Sequence, residues 1–314
     1  MVQTLVIECL QHQKRCSKHS QSLQYHLVTL FLFIRSDFKS VVFPQSVFAL
    51  SFVFSTSGAA QLHVDGAQEV ALRVSYMLTW IWLHLLVEDI ANQILDGSVI
   101  EDAINKPWRP IPAGRLTVTE ARCLLQVAVV AALALSIFLG SFLPSTTLMT
   151  MIWLYNDLDG SSSGPLMRNL LNAAGLACFG WGAVCVLAET PDDGNMLRDW
   201  LLLTAAVIST TIQVQDLSDK EGDKARNRKT APLVYGEGCT RWSVAIMAPF
   251  WSQACSTFWR VSLSYAIGLL GISLIMSAVV LLGKSQSSSE LGLKLWCLWV
   301  TVIFALPLLG SSTA

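Results

Sequence analysis

About nine long apolar runs recur along the chain, and they constrain its fold more than any other feature. They lie at residues 41–60, 71–92, 118–140, 142–157, 167–188, 197–215, 240–258, 262–282 and 291–309. Roughly 20 mostly apolar residues are enough for a helix to cross a bilayer. The chain is also 53% hydrophobic and only 14% charged, whereas a soluble domain is about a quarter charged. The sequence therefore predicts an all-α, polytopic membrane bundle around a central cavity.

The first 40 residues differ from the rest of the chain. Residues 24–40 form a short apolar stretch that ends in charge, which is typical of an amphipathic helix at the membrane interface. Residues 1–21 lack the charged-then-apolar order of a signal peptide. We expect a cytosolic N-terminal segment over residues 1–40 and one transmembrane domain over residues 41–314.

The charges are distributed unequally between the two faces of the predicted bundle. When each charge is assigned to the nearer helix end, all but three of the 21 Lys and Arg fall on one face. The exceptions are Arg73, Arg198 and Arg260. The positive-inside rule makes the basic face cytosolic. We expect a multi-pass protein of the endoplasmic reticulum with its active site facing the cytosol. We also expect no nucleic-acid partner, although the net charge of −1 by itself says nothing on this point.

The stretch QVQDLSDKEGDKARNRKT, residues 213–230, places much of this charge directly after an apolar run. Asp216, Asp219 and Asp223 have i, i+3, i+7 spacing, which puts their carboxylates on one stripe of a helix. Carboxylates this close repel one another without a cation, and they suit Mg²⁺ completed by water and substrate phosphate. Basic side chains suited to phosphate oxygens follow: Lys220, Lys224, Arg226, Arg228 and Lys229. Taken alone, a solvated helix end of mixed charge explains the stretch equally well.

A second polar cluster lies four helices earlier, in residues 84–109. Four side chains share one stripe at i, i+4 spacing: His84, Glu88, Asn92 and Asp96. Ionisable groups in a membrane helix usually face a cavity or a partner. After a predicted helix break at Gly97 and Ser98 come Glu101, Asp102, Asn105, Lys106 and Arg109. The number of crossings puts both clusters on the same face, so together they predict a diphosphate–Mg²⁺ site.

Other polar and small residues carry weaker signals. Tyr155, Asn156 and Asp157 end another helix on the same face, where a polar loop is the stronger explanation. His84 is more typical of a hydrogen-bonded core residue than of a zinc ligand, because further ligands are missing from the pattern. Small residues that allow close helix packing recur in the fifth run, including Gly175, Gly180 and Gly182.

Two segments resemble the aspartate-rich motifs of the UbiA superfamily of intramembrane prenyltransferases. They are NQILDGSVIEDAINKPWRPIPAGRLT at 92–117 and DLSDKEGDKARNRKTAPLVYG at 216–236. The resemblance covers most of the chain, because the separation of the motifs and the number of helices also agree. The sequence NKPWRP at residues 105–110 and the sequence YND at residues 155–157 are similar to those of the fungal branch of this superfamily. That branch contains aromatic prenyltransferases and membrane-bound sesquiterpene cyclases.

The resemblance implies roles for particular residues. The implied catalytic and Mg²⁺-binding residues are Asn92, Asp96, Asp102, Asp216, Asp219 and Asp223. The second motif matches closely, whereas the first departs, because Ile100 stands where the family has its last Asp. Asp102 would then correspond to the last Asp of the family motif, displaced by a two-residue insertion. Glu101 is the second candidate for the same position. The expected diphosphate-binding residues are Lys106, Arg109, Arg168, Lys220, Lys224, Arg226 and Lys229.

The chemistry expected at such a site is ionisation of a prenyl diphosphate. Mg²⁺ and basic side chains stabilise the leaving diphosphate, and an apolar bundle keeps water from the carbocation. Polar groups near the site favour prenyl transfer, from geranyl or farnesyl diphosphate, to a small aromatic acceptor in specialised metabolism. The acceptor-side candidates are Tyr155, Asn156 and Asp157. Cyclisation of farnesyl diphosphate is the alternative.

A transporter is the remote alternative. Intramembrane acids such as Glu88 and Asp89 could line an ion path, but transporters concentrate their charges near the bilayer midplane. Here the acids crowd at one face. The expected partners are therefore a prenyl diphosphate, the acceptor and the lipid bilayer.

Overall fold

The computed structural model describes residues 22–55, 66–188 and 195–310, and its regular structure is helical. Its longer helices are α1 (Leu23–Ile34), α2 (Phe43–Val53), α3 (Ala67–Gln93), α4 (Asp96–Asn105), α5 (Val118–Phe138), α6 (Phe142–Asn156), α7 (Pro165–Leu187), α8 (Asn195–Thr211), α9 (Asp216–Ala225), α10 (Glu237–Phe258), α11 (Leu263–Leu282) and α12 (Gln286–Phe304). Short helical turns lie at Phe38–Val42, Gly160–Ser163, Ile212–Val214, Ala231–Val234 and Leu306–Leu309. Within the described ranges, β pairing is limited to one isolated bridge between Val261 and Gly310.

Each predicted apolar run overlaps one of these helices. The all-α membrane bundle is therefore confirmed. By length and composition alone, α3, α5, α7 and α11 can cross a membrane. The bent pair formed by residues 195–214 and α9 would make a fifth span. Helices α2 and α6 are short, and α10 and α12 are long but less apolar. The described part of the chain therefore shows four or five spans by this measure, fewer than the nine predicted runs.

Small residues set the distance between neighbouring helices in the core. A Cβ on Gly182 of α7 would lie 2.1 Å from the ring of Trp80 on α3, so the two helices approach closely only with glycine there. Gly180 is also packed, against Gln45 and Phe48 of α2. Gly175 differs, because no atom lies within 4 Å of the Cβ position. Two of the three glycines predicted to pack helices therefore do so, and the third faces open space.

His84 belongs to the helix core. Its Nδ1 lies 2.8 Å from the Trp80 carbonyl oxygen, and its Nε2 lies 2.7 Å from the Ser145 hydroxyl. The ring also stacks on Trp80 at 3.9 Å between centroids. Both ring nitrogens are therefore occupied by hydrogen bonds, one within α3 and one that joins α3 to α6. This agrees with the expectation of a core histidine.

The N-terminal helix α1 is attached to the loop that follows α4. The Tyr25 hydroxyl donates to the Arg115 carbonyl oxygen at 3.0 Å, and Arg115 donates back to the Tyr25 carbonyl at 3.0 Å. The Arg115 guanidinium also lies 4.0 Å from the centre of the Tyr25 ring. Leu23, Leu27 and Phe31 remain exposed on α1, as an interfacial helix would require. Residues 1–21 lie outside the described ranges.

Two helix breaks bring the polar segments out of the bundle. Helix α3 ends at Gln93 and α4 begins at Asp96, slightly earlier than the break expected at Gly97 and Ser98. Helix α8 passes through the turn Ile212–Val214 and bends by 63° into α9. Helix α9 has the sequence DLSDKEGDKA, which is too charged to lie among lipid tails. The bend therefore lets α9 pack beside α4 at one end of the bundle.

Candidate active site

Asn105 on α4 makes two hydrogen bonds to the backbone of α9. The Asn105 amide donates to the Asp219 carbonyl oxygen at 2.9 Å, and its oxygen accepts from the Gly222 N–H at 3.2 Å. A Cβ on Gly222 would lie 2.2 Å from the Asn105 amide nitrogen, so only glycine permits this contact. The structure thus brings together the two acidic segments that the sequence places 114 residues apart, measured from Asn105 to Asp219.

A cavity of about 1090 Å³ lies beside this helix pair. Apolar side chains from α6, α7 and α12 line its inner part, among them Leu148, Leu176 and Trp296. Its polar end adjoins a smaller chamber of about 120 Å³. Side chains shared by the cavity and the chamber include Glu88, Lys106, Tyr155, Asn156 and Asp219. The combined space is therefore polar at one end and apolar at the other.

Arg168 connects α7 to the start of α9. Its Nε and Nη2 donate to one oxygen of Asp216 at 3.2 and 3.0 Å, and its Nη1 donates to the Tyr155 hydroxyl oxygen at 2.6 Å. Arg168 and Asp216 are both buried, and Arg168 lines the polar chamber. Asp216 lines neither space. Asp216 therefore fixes the guanidinium of Arg168, a positive charge that borders the chamber, without lining the chamber itself.

A second arginine in the chamber is held in a similar way. Arg228 Nη1 donates to Glu101 at 3.1 Å and to Asp223 at 3.5 Å. The other oxygen of Glu101 accepts from Arg226 at 3.1 Å. Arg226 also donates to the Ser98 hydroxyl, so it ties α4 to the end of α9. Glu101, the second candidate for the last Asp of the first motif, thus lines the chamber and forms ion pairs with two arginines.

Arg109 and Lys106 also line the chamber. Arg109 Nη1 donates to both oxygens of Asp102 at 2.8 and 3.0 Å, while Nη2 lies 3.7 Å from Asp89. Burial raises the pKa of Asp102, although Arg109 opposes this shift. Desolvation alone would lower the pKa of Lys106, but its neighbour Asp219 at 3.5 Å helps raise it. Lys106 therefore remains a positive charge at the mouth of the chamber.

The chamber and its surroundings contain unpaired donors and unpaired acceptors together. Around the chamber, the buried nitrogen donors with no hydrogen-bond partner in the described structure are Arg109 Nε, Asn172 Nδ2, Arg228 Nε and Arg228 Nη2. Buried carboxylate oxygens in the same condition are Asp89 Oδ2, Asp216 Oδ2 and Asp223 Oδ2. Unpaired buried groups of both signs are unfavourable unless a ligand satisfies them. An anion together with a cation satisfies both sets, so these residues fit a Mg²⁺–diphosphate pair.

The described residues alone do not form a complete metal cage. Among the described residues, no group of three or more His, Cys, Asp or Glu side chains is arranged to hold a metal ion. This is compatible with Mg²⁺, which proteins often hold through one or two carboxylates while water and substrate phosphates complete the octahedron.

Several sequence-predicted site residues meet at the chamber. Asn92 lines it and donates to the Asn156 side-chain oxygen at 2.9 Å. The predicted residues that line the chamber are Asn92, Lys106, Arg109, Tyr155, Asn156, Arg168 and Asp219. Three more are buried against its arginines: Asp102, Asp216 and Asp223.

The remaining predicted site residues lie elsewhere. Lys220 forms an ion pair with Glu237 at 2.8 Å, directed away from the chamber. Side chains that are exposed and line neither space are Asp96, Asp157, Lys224 and Lys229. Arg226 lines neither space and acts through Glu101. Of these residues, Asp96 was predicted to share a helical stripe with Asn92, and the helix break before Asp96 separates the two.

Residues that the sequence did not suggest also reach the chamber. Asp37, Asn172 and Gln215 line both spaces. Asp37 comes from the turn before α2, and its carboxylate lies 3.6 Å from Arg109. Asn172 stands one helical turn after Arg168 on α7, and this spacing was the one available signal. Glu88 and Asp89, which the transporter hypothesis would use, line the same chamber.

Comparisons with known proteins identify the family of this chain. The UbiA prenyltransferase family model matches residues 49–305. The chain is 31% identical to somaliensene A/B synthase of Streptomyces somaliensis over 88% of this chain and 91% of that protein. It is 29% identical to fumagillin beta-trans-bergamotene synthase of Aspergillus fumigatus over 78% and 80%. It is 28% identical to a polyprenyl transferase of Hericium erinaceus over 69% and 72%.

The fold is also similar to that of a solved structure. A UbiA homologue from Archaeoglobus fulgidus, bound to GPP and Mg²⁺, superposes with a TM-score of 0.60 at 14% identity. The superposition covers 88% of this chain and 99% of the archaeal one. The match to the family model extends across both acidic segments and nearly all of the described bundle. The chain is therefore an integral membrane enzyme that belongs to the UbiA prenyltransferase family.

Proposed function

We propose that the chain is a Mg²⁺-dependent enzyme that ionises a prenyl diphosphate. The observation that carries this proposal is the polar chamber with its unpaired donors and acceptors, which opens into an apolar cavity. The diphosphate would occupy the chamber and the prenyl tail would occupy the cavity. The archaeal relative bound to GPP and Mg²⁺ supports the same ligand pair.

Bound Mg²⁺ would supply positive charge to the leaving diphosphate. The residues that would hold it are Asp219 and Asn92 at the chamber, with Asp216 and Asp223 behind them. Arg168 and Arg228 would donate to diphosphate oxygens, since each is fixed by a buried carboxylate. The apolar side chains of the cavity would then exclude water from the carbocation.

We place cyclisation first among the two fates of that cation. The Tyr155 hydroxyl, which could have oriented an acceptor, is bonded to Arg168, and Asp157 is exposed outside the cavity. The relatives named as a somaliensene synthase and a bergamotene synthase also cover most of this chain. In the proposed reaction the allylic C–O bond breaks, a double bond of the substrate attacks the allylic cation to form a C–C bond, and the cyclic cation would lose a proton to the released diphosphate. The proposed product is therefore a cyclic terpene.

Prenyl transfer to a small aromatic acceptor is the second candidate, and Asn172 favours it. Its amide nitrogen is buried, has no hydrogen-bond partner in the described structure and borders both spaces. An unpaired donor in that position could orient a phenol oxygen beside the allylic carbon. The polyprenyl transferase of Hericium erinaceus is a relative of this kind.

One experiment separates these outcomes. Purified protein in nanodiscs would be incubated with geranyl, farnesyl or geranylgeranyl diphosphate, with and without Mg²⁺ and simple phenols. We expect Mg²⁺-dependent release of diphosphate and a cyclic hydrocarbon detected by gas chromatography. Alkylated phenol without hydrocarbon would favour transfer. Absence of diphosphate release from every substrate by folded protein would contradict the proposed function.

We also propose that the chamber faces the cytosol in the endoplasmic reticulum, with residues 1–40 as a cytosolic segment. The excess of Lys and Arg on the chamber side supports this orientation.

A further inference from the structure

On each of three helices, one residue is the last to line the apolar cavity. The last residues that line it are Leu148 on α6, Leu176 on α7 and Trp296 on α12. Further along α7 and α12, Phe179 and Trp299 are buried in the core and no longer border the cavity. The three side chains therefore form an end wall opposite the polar chamber.

Trp296 is the largest part of this end wall, and its orientation is fixed. Its indole N–H donates to the Thr211 hydroxyl at 3.0 Å, and that hydroxyl donates to the Val207 carbonyl oxygen at 2.7 Å. The Trp296 side chain is only 2% exposed. A large aromatic ring that is hydrogen-bonded and packed cannot move aside for a longer ligand without losing these contacts.

The distance from the chamber to the end wall can be estimated from helix geometry. Gln286 marks the chamber level on α12, because its amide donates to the Ser218 carbonyl oxygen at 2.8 Å, next to Asp219. From Gln286 to Trp296 the α12 axis rises about 15 Å, at about 1.5 Å per residue. From Asn156 back to Leu148, α6 covers about 12 Å on the same basis.

Prenyl chains can be compared with this depth. An extended chain advances about 1.2 Å per bond, so the main chains of geranyl, farnesyl and geranylgeranyl groups span about 8, 13 and 18 Å. Measured along α6 and α12, the cavity depth is closest to the length of the farnesyl chain. We propose that Trp296, with Leu148 and Leu176, selects a C15 tail by excluding the fourth isoprene unit. This inference rests on the proposed function and applies to both fates of the cation.

Substitution of Gly175 by a larger residue would make the tail space smaller, whereas removal of the Trp296 ring would make it larger. It lines the cavity on α7 one residue before Leu176, and nothing lies within 4 Å of its Cβ position. A leucine at this position would place its Cβ in open space, from which the rest of the side chain would extend into the cavity. The tail space would then be shorter or narrower, which favours a geranyl chain.

The test measures kcat/KM for geranyl, farnesyl and geranylgeranyl diphosphate by diphosphate release. We expect the wild type to prefer farnesyl diphosphate. Trp296→Ala should raise the C20-to-C15 ratio about tenfold or more, since even a methylene changes discrimination that much in a tight pocket. Gly175→Leu should raise the C10-to-C15 ratio. The matched control is Gly268→Leu, at an exposed position on α11 with open space around it, and it should change neither ratio.

The outcomes separate this inference from the proposed function. If the wild type releases no diphosphate from any substrate, the proposed function fails. If the wild type is active but prefers the C10 or C20 substrate, the end-wall proposal is overturned. It is also overturned if both variants keep the wild-type ratios. Should Trp296→Ala fail to fold, Trp296→Leu and Gly175→Leu decide the question.

Discussion

At the scale of single residues, Asp219 is the acid of its motif that borders both the chamber and the cavity. We expect Asp219→Ala to lower kcat on the order of a hundredfold, as loss of charge stabilisation at a leaving group does. The measurement is the initial rate of diphosphate release at matched protein abundance. Asp157→Ala, at an exposed position, is the control and should remain close to wild type. Full turnover by Asp219→Ala, or by the wild type in excess EDTA, would contradict the assigned role.

Substitution of Arg168 by lysine keeps the positive charge but removes the planar guanidinium, so it tests whether the arrangement of the donors matters in addition to the charge. Its guanidinium contacts Asp216 and Tyr155 through three nitrogens, whereas lysine offers a single nitrogen. Arg168→Lys should lower kcat/KM about tenfold or more, because one hydrogen bond to a charged group contributes roughly 1.5–3 kcal/mol. Lys224→Ala, which changes an exposed cation on α9, is the comparison and should have little effect. Equal kcat/KM for Arg168→Lys and wild type would argue against direct diphosphate binding by Arg168.

At the scale of helices, the contact between α4 and α9 depends on Gly222. Gly222→Ala would force its Cβ against Asn105 and break the two hydrogen bonds that this side chain makes to α9. We expect a destabilisation of about 1–3 kcal/mol, as for other overpacked sites, together with loss of activity. Thermal unfolding in nanodiscs and diphosphate release measure the two effects.

A double-mutant cycle separates the steric cause from other effects. Adding Asn105→Ala removes the clash, so the double variant should be more stable than the additive sum of the single variants. Gly271→Ala, on α11 with open space around its Cβ position, is the matched control and should not destabilise the protein. Strict additivity of Gly222→Ala and Asn105→Ala would show that the two residues do not interact as described.

At the scale of the whole molecule, the packing of α4 against α9 requires both to lie on one side of the membrane. Single cysteines at Ile104 and Lys224, both exposed, should therefore react with an impermeant maleimide from the same side. A cysteine at Ser262, beyond the far end of α10, should react from the other side. All eight native cysteines would be replaced first. Labelling of positions 104 and 224 from opposite sides would contradict the topology.

Helix positions followed from the sequence because the signal for a membrane helix is local. A run of about 20 apolar residues has few alternatives in a bilayer, since every backbone polar group must be satisfied within the segment. The expectation that both acidic segments share one end of the bundle came from the same pattern, through the number of crossings. The break after α3 was misplaced by only a few residues, from Gly97–Ser98 to before Asp96.

Membership of the chamber was decided by tertiary structure. Asp96 shares a helical stripe with Asn92 in the sequence, yet the chain breaks between them and Asp96 becomes exposed. Lys220 stands among the aspartates of α9, yet its side chain turns to Glu237 on α10. Successive residues of a helix point in directions about 100° apart. A helix break or a bend therefore changes which surface each of the following side chains faces.

The sequence by itself determined that this chain is a bundle of membrane helices with two acidic segments at one end. Apolar length and helical spacing are properties of short segments, so they survive folding unchanged. Only the tertiary structure decided that Asp37 and Asn172 reach the chamber and that Trp296 closes the cavity. These residues are far apart along the chain, and no local pattern records that helix packing will bring them together.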